Sequence, residues 1–139
     1  MGEAAGSRPA LPAVGMRATL ERTITEEDIV RFAEITGDRN PVHLDAAWAA
    51  HSPFGKRIAH GLLTASLIGG ILGNQLPGPG AIYLSQTLRF LAPVYIGDTV
   101  TASVEVIALR AEKRIVTLRT ECVNQQGALV LTGEAVVKC

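Results

Sequence analysis

An aspartate and a histidine five residues apart, in the string Gly37-Asp38-Arg39-Asn40-Pro41-Val42-His43, are the residues of this 139-residue chain best suited to move protons. Gly61 follows in Ala59-His60-Gly61, at the head of a long apolar run. A backbone N–H at a helix start sits where the dipole favours developing negative charge. A carboxylate, an imidazole and an oxyanion-binding amide are the parts needed to add or remove water beside a carbonyl. Pro41 is expected to keep the first string non-helical, as a polar turn.

The elements that must position these residues follow from local pattern. Residues 16–23 carry enough Thr and Leu for a strand. Thr25 with Asp28 forms a near capping box, Asp standing in for Glu or Gln, for a helix from about Glu26. Ile29, Val30, Phe32, Ala33 and Ile35 supply its apolar side, and Gly37 stops it. Residues 38–44 read as a loop, Asp45 caps a short helix over 46–50, and Ser52-Pro53-Phe54-Gly55 is a turn. A helix over about 60–76 is apolar on nearly all sides, hence surrounded by protein, and Pro77-Gly78-Pro79-Gly80 breaks it.

Everything afterwards reads as strand. Residues 81–91 form the first, and Gly97-Asp98 makes a turn. Val100, Ala102, Val104 and Val106 alternate with polar residues, as do Val116, Leu118, Thr120 and Cys122. Asn124-Gln125-Gln126-Gly127 turns into a last strand over 128–138. A sheet with one apolar face and a single apolar helix is solved by curling the sheet around the helix, an α+β architecture with antiparallel neighbours.

Composition bounds the function. The length predicts one domain, able to bury roughly 70% of its unfolded surface. With 47% hydrophobic and 19% charged residues the chain folds. Thirteen basic and thirteen acidic residues cancel, which argues against nucleic acid and against a cationic partner. Cys122 and Cys139 are too few for a disulfide framework and suit a reducing compartment. Residues 1–15 are Ala-, Gly- and Pro-rich with no apolar signal core, and are expected to be a flexible tail before a single domain over 16–139. The apolar run over 62–72 is interrupted by Thr64, Ser66, Gly69 and Gly70 and is too short to span a membrane. The expectation is a soluble, cytoplasmic protein.

Phe32-Ala33-Glu34-Ile35-Thr36-Gly37-Asp38-Arg39-Asn40-Pro41-Val42-His43, with Ile58-Ala59-His60-Gly61-Leu62-Leu63 and Leu88-Arg89-Phe90-Leu91-Ala92-Pro93-Val94-Tyr95-Ile96-Gly97-Asp98-Thr99 downstream, closely resembles the MaoC-like (R)-specific enoyl-CoA hydratases, or hydratase 2, of the hot-dog fold. The resemblance spans about residues 16–137, and Gly-Asp-x-Asn-Pro-x-His is its specific part. It implies a homodimer whose two sheets join edge to edge, with an acyl-CoA site near the interface. It also implies syn hydration of a trans-2-enoyl-CoA to the (R)-3-hydroxyacyl-CoA, supplying polyhydroxyalkanoate storage polymer or drawing on fatty-acid oxidation. No metal, flavin or nicotinamide is implied, and no cofactor beyond the CoA that arrives as part of the substrate.

In such a reaction a water held between Asp38 and His43 attacks C3, C2 receives a proton on the same face, and the enolate oxygen is stabilised. General acid–base help is worth roughly 10²–10⁴-fold when pKa values lie near working pH; His43 starts there, whereas Asp38 would have to be raised by burial. The bland alternative for Asp38 and Asn40 is turn chemistry. His43 in register and His60-Gly61 downstream favour the catalytic reading, with Asn40 as an orienting residue and Gly61 as the oxyanion amide. His60 reads as a capping or packing residue, His51 as surface, Cys122 as core, and Ser66 as bonding back to the Leu62 carbonyl. Gly69, Gly70 and Gly73 serve close packing or leave space for an acyl chain. Among Lys56, Arg57, Arg89, Arg110, Lys113 and Arg114, one or two are candidates for CoA phosphates. Competing functions are a dehydratase on acyl-carrier-protein thioesters, a hot-dog acyl-CoA thioesterase and a non-catalytic acyl-CoA binder.

Overall fold

Val100, Ala102, Val104 and Val106, and likewise Val116, Leu118, Thr120 and Cys122, are all 0% exposed, so the alternation does build one buried sheet face. The computed structural model describes residues 9–139. The order is β1 (Arg17–Thr23), α1 (Glu26–Thr36), α2 (Pro41–Leu44), α3 (Ala46–Ala50), α4 (Gly61–Asn74), β2 (Ile82–Gln86), β3 (Arg89–Phe90), β4 (Thr99–Arg110), β5 (Ile115–Val123) and β6 (Leu129–Lys138). All strand pairs are antiparallel, in the order β1-β4-β5-β6-β2, with β3 also pairing β6. Helix α4 packs Ala65, Leu67, Ile68, Ile71 and Leu72 into the core that the sheet wraps. The Cys122 thiol is inside that core, and burial pushes it up to about 12.

Three differences from the expected elements have physical causes. Residues 81–91 are not one strand, because the chain breaks pairing at Thr87. There the Thr87 N–H donates to the Glu134 carbonyl (2.9 Å) and the Thr87 hydroxyl accepts the Glu134 N–H (2.9 Å). The crossing needs a bare Gly133: a Cβ there would lie 1.8 Å from the Thr87 carbonyl oxygen. Second, α4 is not enclosed on all sides, for Leu62 is 59% exposed and Ser66 is also exposed.

Third, Pro41 does not forbid a helix. It stands at the first position of the one-turn α2, where no N–H is needed, and the steric restriction falls on Asn40, which is extended (φ −53°, ψ 128°) and caps the turn. The remaining caps follow the sequence. Thr25 and Asp28 close a full capping box, and Gly37 ends α1 in the left-handed conformation (φ 78°). Of the segment expected as a tail, residues 1–8 lie outside the described residues. Beyond them, the Gly15 N–H donates to the Val106 carbonyl (2.8 Å), the Arg114 guanidinium donates to the Pro9 carbonyl, and Pro12 is buried. No helix among the described residues is long and apolar enough to cross a membrane.

Candidate active site

The left-handed Gly37 turns the chain out of α1 and delivers Asp38. The Asp38 N–H donates to the Thr36 hydroxyl (3.1 Å), and one Asp38 carboxylate oxygen accepts the Asn40 N–H (3.2 Å). The Asn40 side chain in turn accepts the Val42 N–H (3.2 Å), capping the helix that carries His43. Asp38 thus makes the contacts of a turn residue and also lines an apolar cleft. Its side chain is exposed, so the burial its acid role calls for is not supplied by the free chain.

His43 is 8% exposed. Its Nδ1 lies 2.8 Å from the Ile58 carbonyl, which only accepts, so Nδ1 carries the proton and Nε2 keeps a lone pair. Burial pushes the His43 pKa below its usual value; the Ile58 carbonyl opposes this, His60 lowers it further, and Asp38 raises it. Arg57 donates from Nε to the His43 carbonyl (2.6 Å) and from Nη1 to both carboxylate oxygens of Glu26 (2.9 and 2.7 Å). This candidate phosphate binder is therefore committed to tying α2 to α1. Lys56 lies over the Tyr95 ring, 4.5 Å from its centroid.

Helix α4 begins at Gly61, whose N–H is among the first-turn amides that have no carbonyl within the helix. The His60 carbonyl accepts from Leu63 (3.1 Å) and Thr64 (3.3 Å). The bare Cα of Gly61 has a structural use too, since an added Cβ would stand 2.6 Å from Phe90 Cε1. His60 itself does not cap the helix with its side chain. Its Nε2 reaches the Asp38 carbonyl (3.0 Å), and its ring stacks on His43 at 3.9 Å between centroids.

Asp38, His43, His60 and Gly61 face one cleft of about 500 Å³ with largely apolar walls, including Phe32, Phe54, Ile58, Phe90 and Leu91. The three aromatic walls and His60 escaped the sequence reading, because nothing in their local pattern separates them from core residues. Ser66 bonds the Leu63 carbonyl (2.6 Å), one residue on from the expected Leu62, and His51 is exposed. Gly69, Gly70 and Gly73 do not line the cleft. A Cβ at Gly70 would meet Leu20 at 3.4 Å, which is close packing of helix on sheet.

One oxygen of Asp38 and one ring nitrogen each of His43 and His60 lie within 4.8 Å of one another, a set that invites a metal reading. The stacking opposes it. Rings stacked 3.9 Å between centroids and inclined by only 28° lie nearly face to face, whereas an ion bound at about 2.1 Å lies near the plane of each ring that ligates it. The donors suit proton handling better than ligation.

The MaoC like domain family matches residues 10–126. A 3-hydroxybutyryl-CoA dehydratase of Methylorubrum extorquens is 55% identical over 125 residues, covering 90% of this chain and 79% of that protein. An (R)-specific enoyl-CoA hydratase of Aeromonas caviae is 53% identical, covering 90% and 93%. The solved (R)-hydratase from A. caviae, involved in PHA biosynthesis, superposes with a TM-score of 0.89 at 52% identity, over 91% of this chain and 96% of that one. An R-hydratase from Pseudomonas aeruginosa superposes with a TM-score of 0.88 at 46% identity, over 92% and 82%. With the sheet wrapped on α4 and the Gly-Asp-x-Asn-Pro-x-His string in place, the chain has the hot-dog fold and belongs to the MaoC-like domain family of hydratases and dehydratases.

Proposed function

We propose that this chain is an (R)-specific enoyl-CoA hydratase, adding water syn across a trans-2-enoyl-CoA to give the (R)-3-hydroxyacyl-CoA. The observation that carries the reading is the convergence of an exposed carboxylate, an imidazole whose Nε2 keeps its lone pair and a first-turn helix amide on one apolar cleft. The water lies between Asp38 and His43. As its oxygen bonds to C3, His43 Nε2 takes one of its protons and the C2–C3 π electrons move onto the thioester. The resulting enolate oxygen is held by the Gly61 N–H, a donor worth about 10²–10³-fold. The imidazolium, beside the Asp38 carboxylate, then returns the proton to C2 on the same face, so one H and one OH have been added and the enzyme is restored. Asn40 orients the carboxylate through its N–H and the histidine through its cap.

Run backwards, the same groups dehydrate, as the name of the M. extorquens relative suggests for that protein. Substrate enters as the CoA thioester, with no separate cofactor. Ile82, Tyr83 and Leu84 on the edge strand β2 are 59%, 45% and 51% exposed, an unprotected apolar edge that supports a homodimer joined sheet to sheet. Both cysteines are free and buried, in keeping with a cytoplasmic setting.

The test is incubation with crotonyl-CoA while enoyl absorbance and free thiol are followed together. Loss of conjugation without thiol release, with an (R) product in a chiral dehydrogenase couple, is expected. Thiol release would replace the reading with a thioesterase.

A further inference from the structure

We propose that His60 is a positioning residue that holds Asp38 and His43 at one working separation; the proposal rests on the hydratase reading above. Asp38 and His43 come from different elements, the turn after α1 and the short α2. Apart from one contact, the hydrogen bonds of Asp38 reach only two residues along the chain, to Thr36 and Asn40. The exception is its carbonyl, which lies 3.0 Å from His60 Nε2, twenty-two residues away. A carbonyl only accepts, so His60 Nε2 carries a proton and is the donor. The same ring lies on His43, 3.9 Å between centroids and 28° between planes, and its backbone leads directly into Gly61. This one residue therefore contacts Asp38 and His43 through its side chain and adjoins Gly61 through its backbone.

The ring is itself well anchored, 2% exposed and 4.9 Å from the Phe32 ring. Packing alone does not account for a histidine here. His60 Nδ1 is buried with no hydrogen-bond partner among the described residues, a desolvation penalty that a phenylalanine of similar shape would avoid. What a phenylalanine would lose is the Nε2–H donor to Asp38. That donor is the difference the proposal turns on.

The test uses three variants of the full chain: His60→Gln, which carries an amide near the Nε2 position; His60→Phe, which keeps the stack without the donor; and His60→Ala, which keeps neither. A misplacement of about 1 Å in reacting groups costs on the order of 10²-fold. Expected with crotonyl-CoA is a kcat fall of about 10²-fold in Phe and Ala at nearly constant KM, with Gln recovering to within about tenfold of the parent. If Ala fails to fold, the Gln and Phe pair still decides. Phe equal to the parent, or Gln and Phe equally impaired, would overturn the positioning role. A parent protein that releases thiol or leaves enoyl-CoA untouched would instead overturn the hydratase reading.

Discussion

Replacing Gly61 by alanine separates the two uses of a bare Cα at the head of α4. The new methyl would stand 2.6 Å and 2.7 Å from Phe90 Cε1 and Cδ1, about 0.8 Å inside ordinary contact at 3.4 Å. Phe90 is 55% exposed, so its ring can swing aside, and the folding cost should stay near the low end of the 1–3 kcal/mol usual for overpacking, about 1 kcal/mol. The catalytic cost should be larger. The methyl, or the displaced ring, keeps a thioester oxygen from reaching the Gly61 N–H at roughly 2.9 Å, and losing such a donor costs about 10²–10³-fold in kcat, or ~3–4 kcal/mol. The assay is kcat/KM with crotonyl-CoA for Gly61→Ala, Phe90→Ala and the double variant, beside thermal melts of each. Relative to Phe90→Ala, the double variant should remain about 10²-fold or more impaired, because the ring is gone but the methyl still blocks the amide. If the double variant matches Phe90→Ala, the bare Cα exists only to house the ring, and the idea that the amide needs a glycine to be reached is refuted.

Asp38→Asn and His43→Gln should each lower kcat by several powers of ten with melting temperatures close to the parent; full activity in either would remove it from the proton-transfer pair. Burial holds the His43 pKa below its unfolded value of about 6.5, so between the two values the unfolded chain binds more protons. Stability from this group is therefore complete above about pH 6.5 and declines as pH falls through the folded value. The acid limb of kcat/KM should also lie below pH 6.5, and a limb above it would contradict a buried neutral base. Gly133→Ala should destabilise by about 3 kcal/mol, since the Cβ would fall 1.8 Å from a backbone oxygen that cannot rotate away. Gly73→Ala has nothing within 4 Å on a helix and should instead stabilise by about 0.5–1 kcal/mol; urea midpoints of the two variants would move in opposite directions.

What could be read from the chain was whatever its physics keeps local. The capping box at Thr25 and Asp28, the stop at Gly37 and the alternation from Val100 to Val106 each involve neighbours within a few residues, and each stands in the structure. Pro41 departs from the local expectation because a proline restricts two positions in different ways. Its missing N–H is harmless at a helix start, and its clash acts backwards on Asn40, whose extended conformation is what a cap requires. The break at Thr87 is invisible locally because the groups that make and permit it, Glu134 and the bare Gly133, lie on the neighbouring strand.

His60 is the sharpest case. A histidine before a helix ordinarily caps or packs, and its own neighbourhood gives no reason to think otherwise. Here its side chain makes no cap bond, and the ring packs instead against Phe32 and His43. In that place Nε2 meets a carbonyl twenty-two residues back. Local sequence can nominate Asp38, His43 and Gly61 because their chemistry is intrinsic to residue type and helix position. The residue that sets the distance between them has no such intrinsic mark: its role consists of three contacts, each made to a different part of the chain.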